Sequence, residues 1–73
     1  MSPKSPRLTG RELIKCLGKH GFKLRRIRGS HHFLAHIDGR ATVVPVHRGE
    51  TIGIGLLGKI LKDTELSPND LVK

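Results

Sequence analysis

The sequence predicts an α+β domain of order α-β-β-β-α, a three-stranded antiparallel sheet with two helices on one face. Three observations carry that prediction. Apolar residues recur at helical spacing near both ends of the chain, at Leu13, Ile14 and Leu17 and again at Ile54, Leu57, Ile60 and Leu61. Between them, Phe22-Lys23-Leu24-Arg25 alternates with period two, and two further short runs follow it, separated by turn residues. With 73 residues, two Phe and no Tyr or Trp, the chain has material for one small aliphatic core. Short consecutive strands pair most simply as a meander, and two helices on one sheet face bury such a core while leaving the other face open.

The elements follow in order. Residues 1–8, with two prolines and two cations, read as a flexible basic arm, and 9–73 as a single domain. Thr9-Gly10-Arg11-Glu12 fits a capping box, in which the Thr side chain and Glu12 satisfy each other's backbone N–H groups, so a helix is expected over about 10–20. Gly21 is its stop. Cys16 lies beside the apolar stripe and reads as a packing residue, with nothing adjacent to depress its pKa. In the first strand Phe22 and Leu24 are expected to face in, Lys23 and Arg25 out. A second strand is expected over 31–37, closed by the hairpin signal Asp38-Gly39. If Phe33, Ala35 and Ile37 face the core, then His32, Leu34 and His36 face out, and His31 shares the buried side unless a bulge frees it. Ala41 to Val46 is the third strand, with Pro45 confined to its end or to an edge. A second helix is expected near 54–63, and Ser67-Pro68 can open a last short one.

Charge is polarised along the chain. Lys plus Arg is 14 against 6 Asp plus Glu, for a net charge of +8. Residues 1–28 hold nine of those bases and one acid, whereas the other 45 residues hold five of each. A one-sided cationic field suits a polyanion, because neutralising phosphates releases counterions. An acidic protein surface, or no partner at all, would be the alternatives. One cysteine excludes an intrachain disulfide and a Cys-rich zinc site. The N-terminal sequence lacks the apolar run of a signal peptide and no segment is long and apolar enough for a membrane span, so a cytoplasmic protein is expected.

Two motifs are decoys. Gly53-Ile54-Gly55-Leu56-Leu57-Gly58 satisfies the dinucleotide pattern, but no second strand with an acidic residue follows it, and the glycines are better explained by a turn and helix packing. His31, His32, His36 and His47 offer nitrogens for a metal. Adjacent strand residues nevertheless point to opposite faces, and no acid or thiol completes a tetrahedral set. No metal and no cofactor is expected.

The stretch "RGSHHFLAH", residues 28–36, points to chemistry instead. Imidazole exchanges protons near neutral pH, and RNA supplies its own nucleophile in the 2′-hydroxyl. A histidine on an exposed sheet bordered by Lys23, Arg25, Arg26 and Arg28 meets the minimal needs of RNA cleavage. Gly29 and Ser30 would let the backbone turn or approach a phosphate. The scarcity of aromatics argues for contact through phosphate and shape rather than base stacking. A polar strand face without chemistry is the bland alternative for His31 or His32. His36 reads as a surface residue, and His47 as structural or as a second proton carrier.

"GFKLRRIRGSHHFLAHIDGR" followed by "VVPVHRGETIGIGLLGKILKD" resembles the HicA (YcfA-like) toxins over about residues 9–64. The first block matches their Gly-Phe strand, G-S-H motif and basic hairpin. The second matches their V-P-x-H strand end and following helix, with Thr51-Ile52 where many members carry Glu-Leu. The resemblance implies a double-stranded-RNA-binding-like fold. It also implies a ribosome-independent mRNA-cleaving toxin held inactive by a HicB antitoxin. The family's catalytic histidine maps onto His31, or onto His32 in members that read G-S-x-H. A non-catalytic RNA- or DNA-binding module of the same fold is the alternative, and a domain that docks an acidic protein is a third.

Overall fold

A computed structural model describes residues 7–71. The elements are α1 (Gly10–Lys19), β1 (Lys23–Arg28), β2 (His31–Ala35), β3 (Ala41–Pro45), α2 (Ile54–Thr64) and a 3-10 turn, Pro68–Leu71. The strands form one antiparallel sheet in the order β1-β2-β3. This is the expected α-β-β-β-α order, and it fits a double-stranded-RNA-binding-like fold. The arm expected over 1–8 falls mostly outside the described residues. Leu8, placed at its end, is 4% exposed and belongs to the core. Its carbonyl accepts the Ile52 N–H at 2.7 Å, which ties the start of the fold to the loop before α2.

Helix α1 forms for the reasons its sequence states. The Thr9 N–H donates to Glu12 Oε1 at 3.0 Å and the Glu12 N–H to Thr9 Oγ1 at 3.2 Å, closing the capping box. At the other end Gly21 takes φ +91°, the Phe22 N–H reaches the Leu17 carbonyl at 3.0 Å and the Gly21 N–H the Gly18 carbonyl at 3.1 Å. These two bonds make a Schellman stop, with Phe22 and Leu17 packed together in the core beneath it. Cys16 is buried and its thiol faces the Leu71 carbonyl at 3.7 Å, a packing position as expected. In α2, Leu57 and Ile60 are buried, but Ile54, expected on the same face, is 80% exposed at the first turn.

The phase of β2 is the reverse of the expectation. Leu34 is 2% exposed and stands in register with the buried Thr42, and His32 with the fully buried Val44. His32 and Leu34 therefore share the helix-covered side, while His31, Phe33 and Ala35 share the open one. The strand also ends at Ala35, so Ile37, expected to be core, is 99% exposed in the loop. That loop is closed by the His36 N–H to the Arg40 carbonyl at 2.7 Å and the Gly39 N–H to the His36 carbonyl at 3.0 Å, with Gly39 at φ +102°. Asp38 accepts the Arg40 N–H at 3.0 Å and Arg40 Nε at 2.8 Å. The Arg40 backbone N–H, then its side chain, hold the Asp38 carboxyl below its ordinary pKa. The Arg40 guanidinium continues to the Thr64 carbonyl and lies over Phe22, pinning the loop to the end of α2. His36, expected at the surface, is a half-buried packing residue, its ring edge-on to Phe22 with centroids 5.1 Å apart.

Candidate functional site

The open sheet face is built by one irregularity in β1. Lys23 pairs with Ala35, Leu24 with Leu34 and Arg26 with Phe33, so the register slips between Leu24 and Arg26. Arg25 is the extra residue of a bulge, and Arg25 and Arg26 together oppose Phe33. Beyond the bulge Ile27 falls opposite His32 and Arg28 opposite His31. Without the bulge, strict alternation would set Arg25 against Arg26 and Arg28 on opposite faces. With it, Lys23, Arg25, Arg26 and Arg28 are all registered to the open face, and Leu24 and Ile27 to the helix side. Leu24 was expected to be core, yet it is 46% exposed, because the helices lie under β3 and leave the β1 edge uncovered.

The four cations are exposed and none forms an ion pair with a described residue. Their field is therefore uncompensated locally, the condition under which a polyanion gains most by binding. The Arg26 guanidinium sits 4.8 Å from the centroid of Phe33, a cation–π contact that holds it flat on the face. Phe33 is thus the aromatic of this surface, which strand alternation alone had assigned to the core. Phe22, the other Phe, is buried.

The turn joining β1 to β2 is only Gly29-Ser30. Gly29 has φ +58° and Ser30 keeps a negative φ, the pattern of a type II′ hairpin that needs glycine first. The Ser30 carbonyl accepts the Val46 N–H at 2.8 Å and His32 Nδ1 at 3.2 Å. His32 therefore carries its proton on Nδ1 toward the backbone, and it is half-buried on the helix side. His31 differs in each respect. It is exposed, it heads β2 between Arg28 on one side and Pro45 on the other, and its ring hydrogen-bonds to no described residue. The structure thus sets His31 on the open face beside Arg28 and the Gly29-Ser30 turn, with Arg25 and Arg26 opposite Phe33 and Lys23 opposite Ala35 farther along that face, and sets His32 on the other side. His47 lies beyond β3, exposed, in a cleft of its own. No group of three His, Cys, Asp or Glu residues is placed to hold a metal ion among the described residues. No helix among them is long and apolar enough to cross a membrane.

Fold and face together define a small α+β domain that covers one side of its sheet with helices and offers the other, strongly cationic, to a partner. The chain belongs to the HicA toxin family of bacterial toxin–antitoxin systems, whose family model matches residues 10–66. It is accordingly a toxin of a toxin–antitoxin pair, in a family of RNase toxins, with an antitoxin as partner. No curated protein matches the chain.

Proposed function

We propose that this toxin is a metal-independent endoribonuclease that cleaves mRNA, with His31 as its catalytic residue and a HicB-type protein as its antitoxin. The observation that carries the reading is the placement of His31, an exposed imidazole with no hydrogen bond to any described residue, at the head of β2 and directly opposite Arg28. In this mechanism the 2′-oxygen of RNA attacks the adjacent phosphorus and the bond from phosphorus to the 5′-oxygen breaks. The products are a 2′,3′-cyclic phosphate and a 5′-hydroxyl. His31 takes the 2′-hydroxyl proton, and the imidazolium so formed returns it to the departing 5′-oxygen. Lys23, Arg25, Arg26 and Arg28 bind phosphates and offset the charge that gathers on the non-bridging oxygens. Gly29 lets the backbone at the turn come close to a phosphate, and Ser30 supplies a hydroxyl donor beside it.

The test is expression of wild type, His31→Ala and His32→Ala, scored for growth arrest and for RNA cleavage by purified protein in chelator. His31→Ala is expected to lose about 10²- to 10⁴-fold in cleavage rate, the usual worth of a general acid–base group, with its circular dichroism unchanged. His32→Ala is expected to cleave RNA. The reverse pattern would move the chemistry to His32, intact cleavage by both variants would take it away from both histidines, and RNA left whole by the wild type would leave a non-catalytic RNA- or DNA-binding module.

A further inference from the structure

We propose that the cleft between the start of α1 and the loop after β3 is a second phosphate-binding site, where Arg11, His47 and Arg48 hold RNA backbone next to the scissile position. This rests on the reading of the open face as an RNA-cleaving surface. The cleft has a volume of ≈ 430 Å³ and is lined by Thr9, Arg11, Val46, His47, Arg48 and Gly49. Two local features build it. The Glu50 N–H closes on the His47 carbonyl at 3.0 Å with Gly49 at φ +75°, a type II turn that sets Arg48 at its corner. On the facing side α1 begins against the end of β3 with no side chain between them. A Cβ at Gly10 would stand 2.4 Å from the Pro45 carbonyl oxygen. That close approach brings Arg11 alongside His47 and Arg48.

The cleft adjoins the strand end that pairs with the candidate catalytic turn. Pro45 is the register partner of His31, and the Val46 N–H is bonded to the Ser30 carbonyl. Arg48 follows Pro45 by three residues, a reach of at most about 10 Å of chain. The ion pairs among the described residues join Asp38 to His36 and Arg40, and Lys59 to Asp63, so Arg11, His47 and Arg48 enter none of them. The Thr9 hydroxyl is already committed to the Glu12 N–H. What the cleft offers is therefore cationic and hydrogen-bond donating, with Val46 as its one aliphatic wall. A protein anchor would call for a larger apolar or aromatic pocket, whereas a sugar–phosphate backbone needs donors and charge.

The experiment compares Arg11→Ala/Arg48→Ala with its parent in a His31→Ala background, so that the RNA persists. The probe is a fluorescein-labelled single-stranded RNA of about twelve nucleotides, read by anisotropy across a salt series. The double variant is expected to bind about tenfold more weakly. The slope of log K against log salt is expected to flatten by about 1.4, two contacts at about 0.7 each. Arg11→Lys/Arg48→Lys is expected to recover most of the affinity. With His31 intact, the double alanine variant is expected to raise KM and change kcat by less than about twofold. Unchanged affinity and salt slope would overturn the proposal. So would normal RNA binding joined to escape from the antitoxin, which would assign the cleft to the protein partner. Should the His31→Ala parent itself cleave RNA, the catalytic assignment fails, yet the binding comparison in chilled, short incubations still decides the cleft.

Discussion

Strands β1 and β3 both flank β2, yet they do opposite work. Every residue of β1 is exposed, and four of its six are cationic. In β3, Thr42 and Val44 are buried beneath the helices, and Val44 is 0% exposed. The helices pack on β3 and leave the β1 edge bare. Stability is therefore concentrated on one side of β2, and the charged surface on the other. This division lets a 73-residue domain carry so uneven a charge. The repelling cations sit where they interrupt no packing, on the strand that the core needs least.

One cross-strand pair divides the core from the open edge. Leu34 and Leu24 are register partners on the same face, 2% and 46% exposed. Leu34→Ala is expected to cost about 2–5 kcal/mol, and Leu24→Ala about 0.5 kcal/mol. Urea titrations of both variants check this, and equal losses would show that β1 is as much a part of the core as β2. A second contrast sets two arginines against each other. Arg40→Ala removes the hydrogen bond to the Thr64 carbonyl and is expected to cost about 1.5 kcal/mol of stability, with RNA affinity little changed. Arg26→Ala is expected to give up about 0.5–1 kcal/mol of cation–π contact with Phe33, and to flatten the salt slope of RNA binding by about 0.7. Melting curves and anisotropy on the same two proteins separate the roles, and a swap of the two phenotypes would undo the division.

The smallest effect is a pH dependence in the loop between β2 and β3. Folding lowers the Asp38 pKa, chiefly through the Arg40 backbone N–H. Its contribution to stability is thus fully present above the ordinary aspartate value and fades as pH falls through the lowered folded value. The gap in Tm between wild type and Asp38→Asn is expected to be constant from about pH 7 to about pH 5 and to close in stronger acid. A gap unchanged at low pH would mean that the carboxylate's charge plays no part.

Much of this was legible in the residues because their signals are local. The capping box at Thr9 and Glu12, the glycine stop at Gly21, the turn at Asp38-Gly39 and the helical spacing of Leu57 and Ile60 each depend on neighbours within a few positions. The candidate cluster of Lys23, Arg25, Arg26, Arg28 and His31 was legible too, from charge polarity and from the resemblance carried by Gly29-Ser30-His31. The strand phase was not. Residues 33 to 35, Phe-Leu-Ala, are all apolar, so period two alone leaves both faces of the strand open to the core. Ile37 continues the alternation of Phe33 and Ala35 in sequence but lies past the strand's end.

Local signals in the chain set the order of elements, the start and stop of α1, and the segment that bears the charge, because capping, turn geometry and periodicity act over single turns of chain. Helix α2 has no side-chain cap at Gly53 and ends on Glu65 at φ 59°, so its ends carry no such signal. Packing across the sheet sets which side of β2 is buried and which of two adjacent histidines lies on the cationic face. Those outcomes depend on pairing across strands and on where the helices settle. The bulge at Arg25 shifts the register of β1, the helices cover β3, and a one-residue difference in either would exchange the two faces.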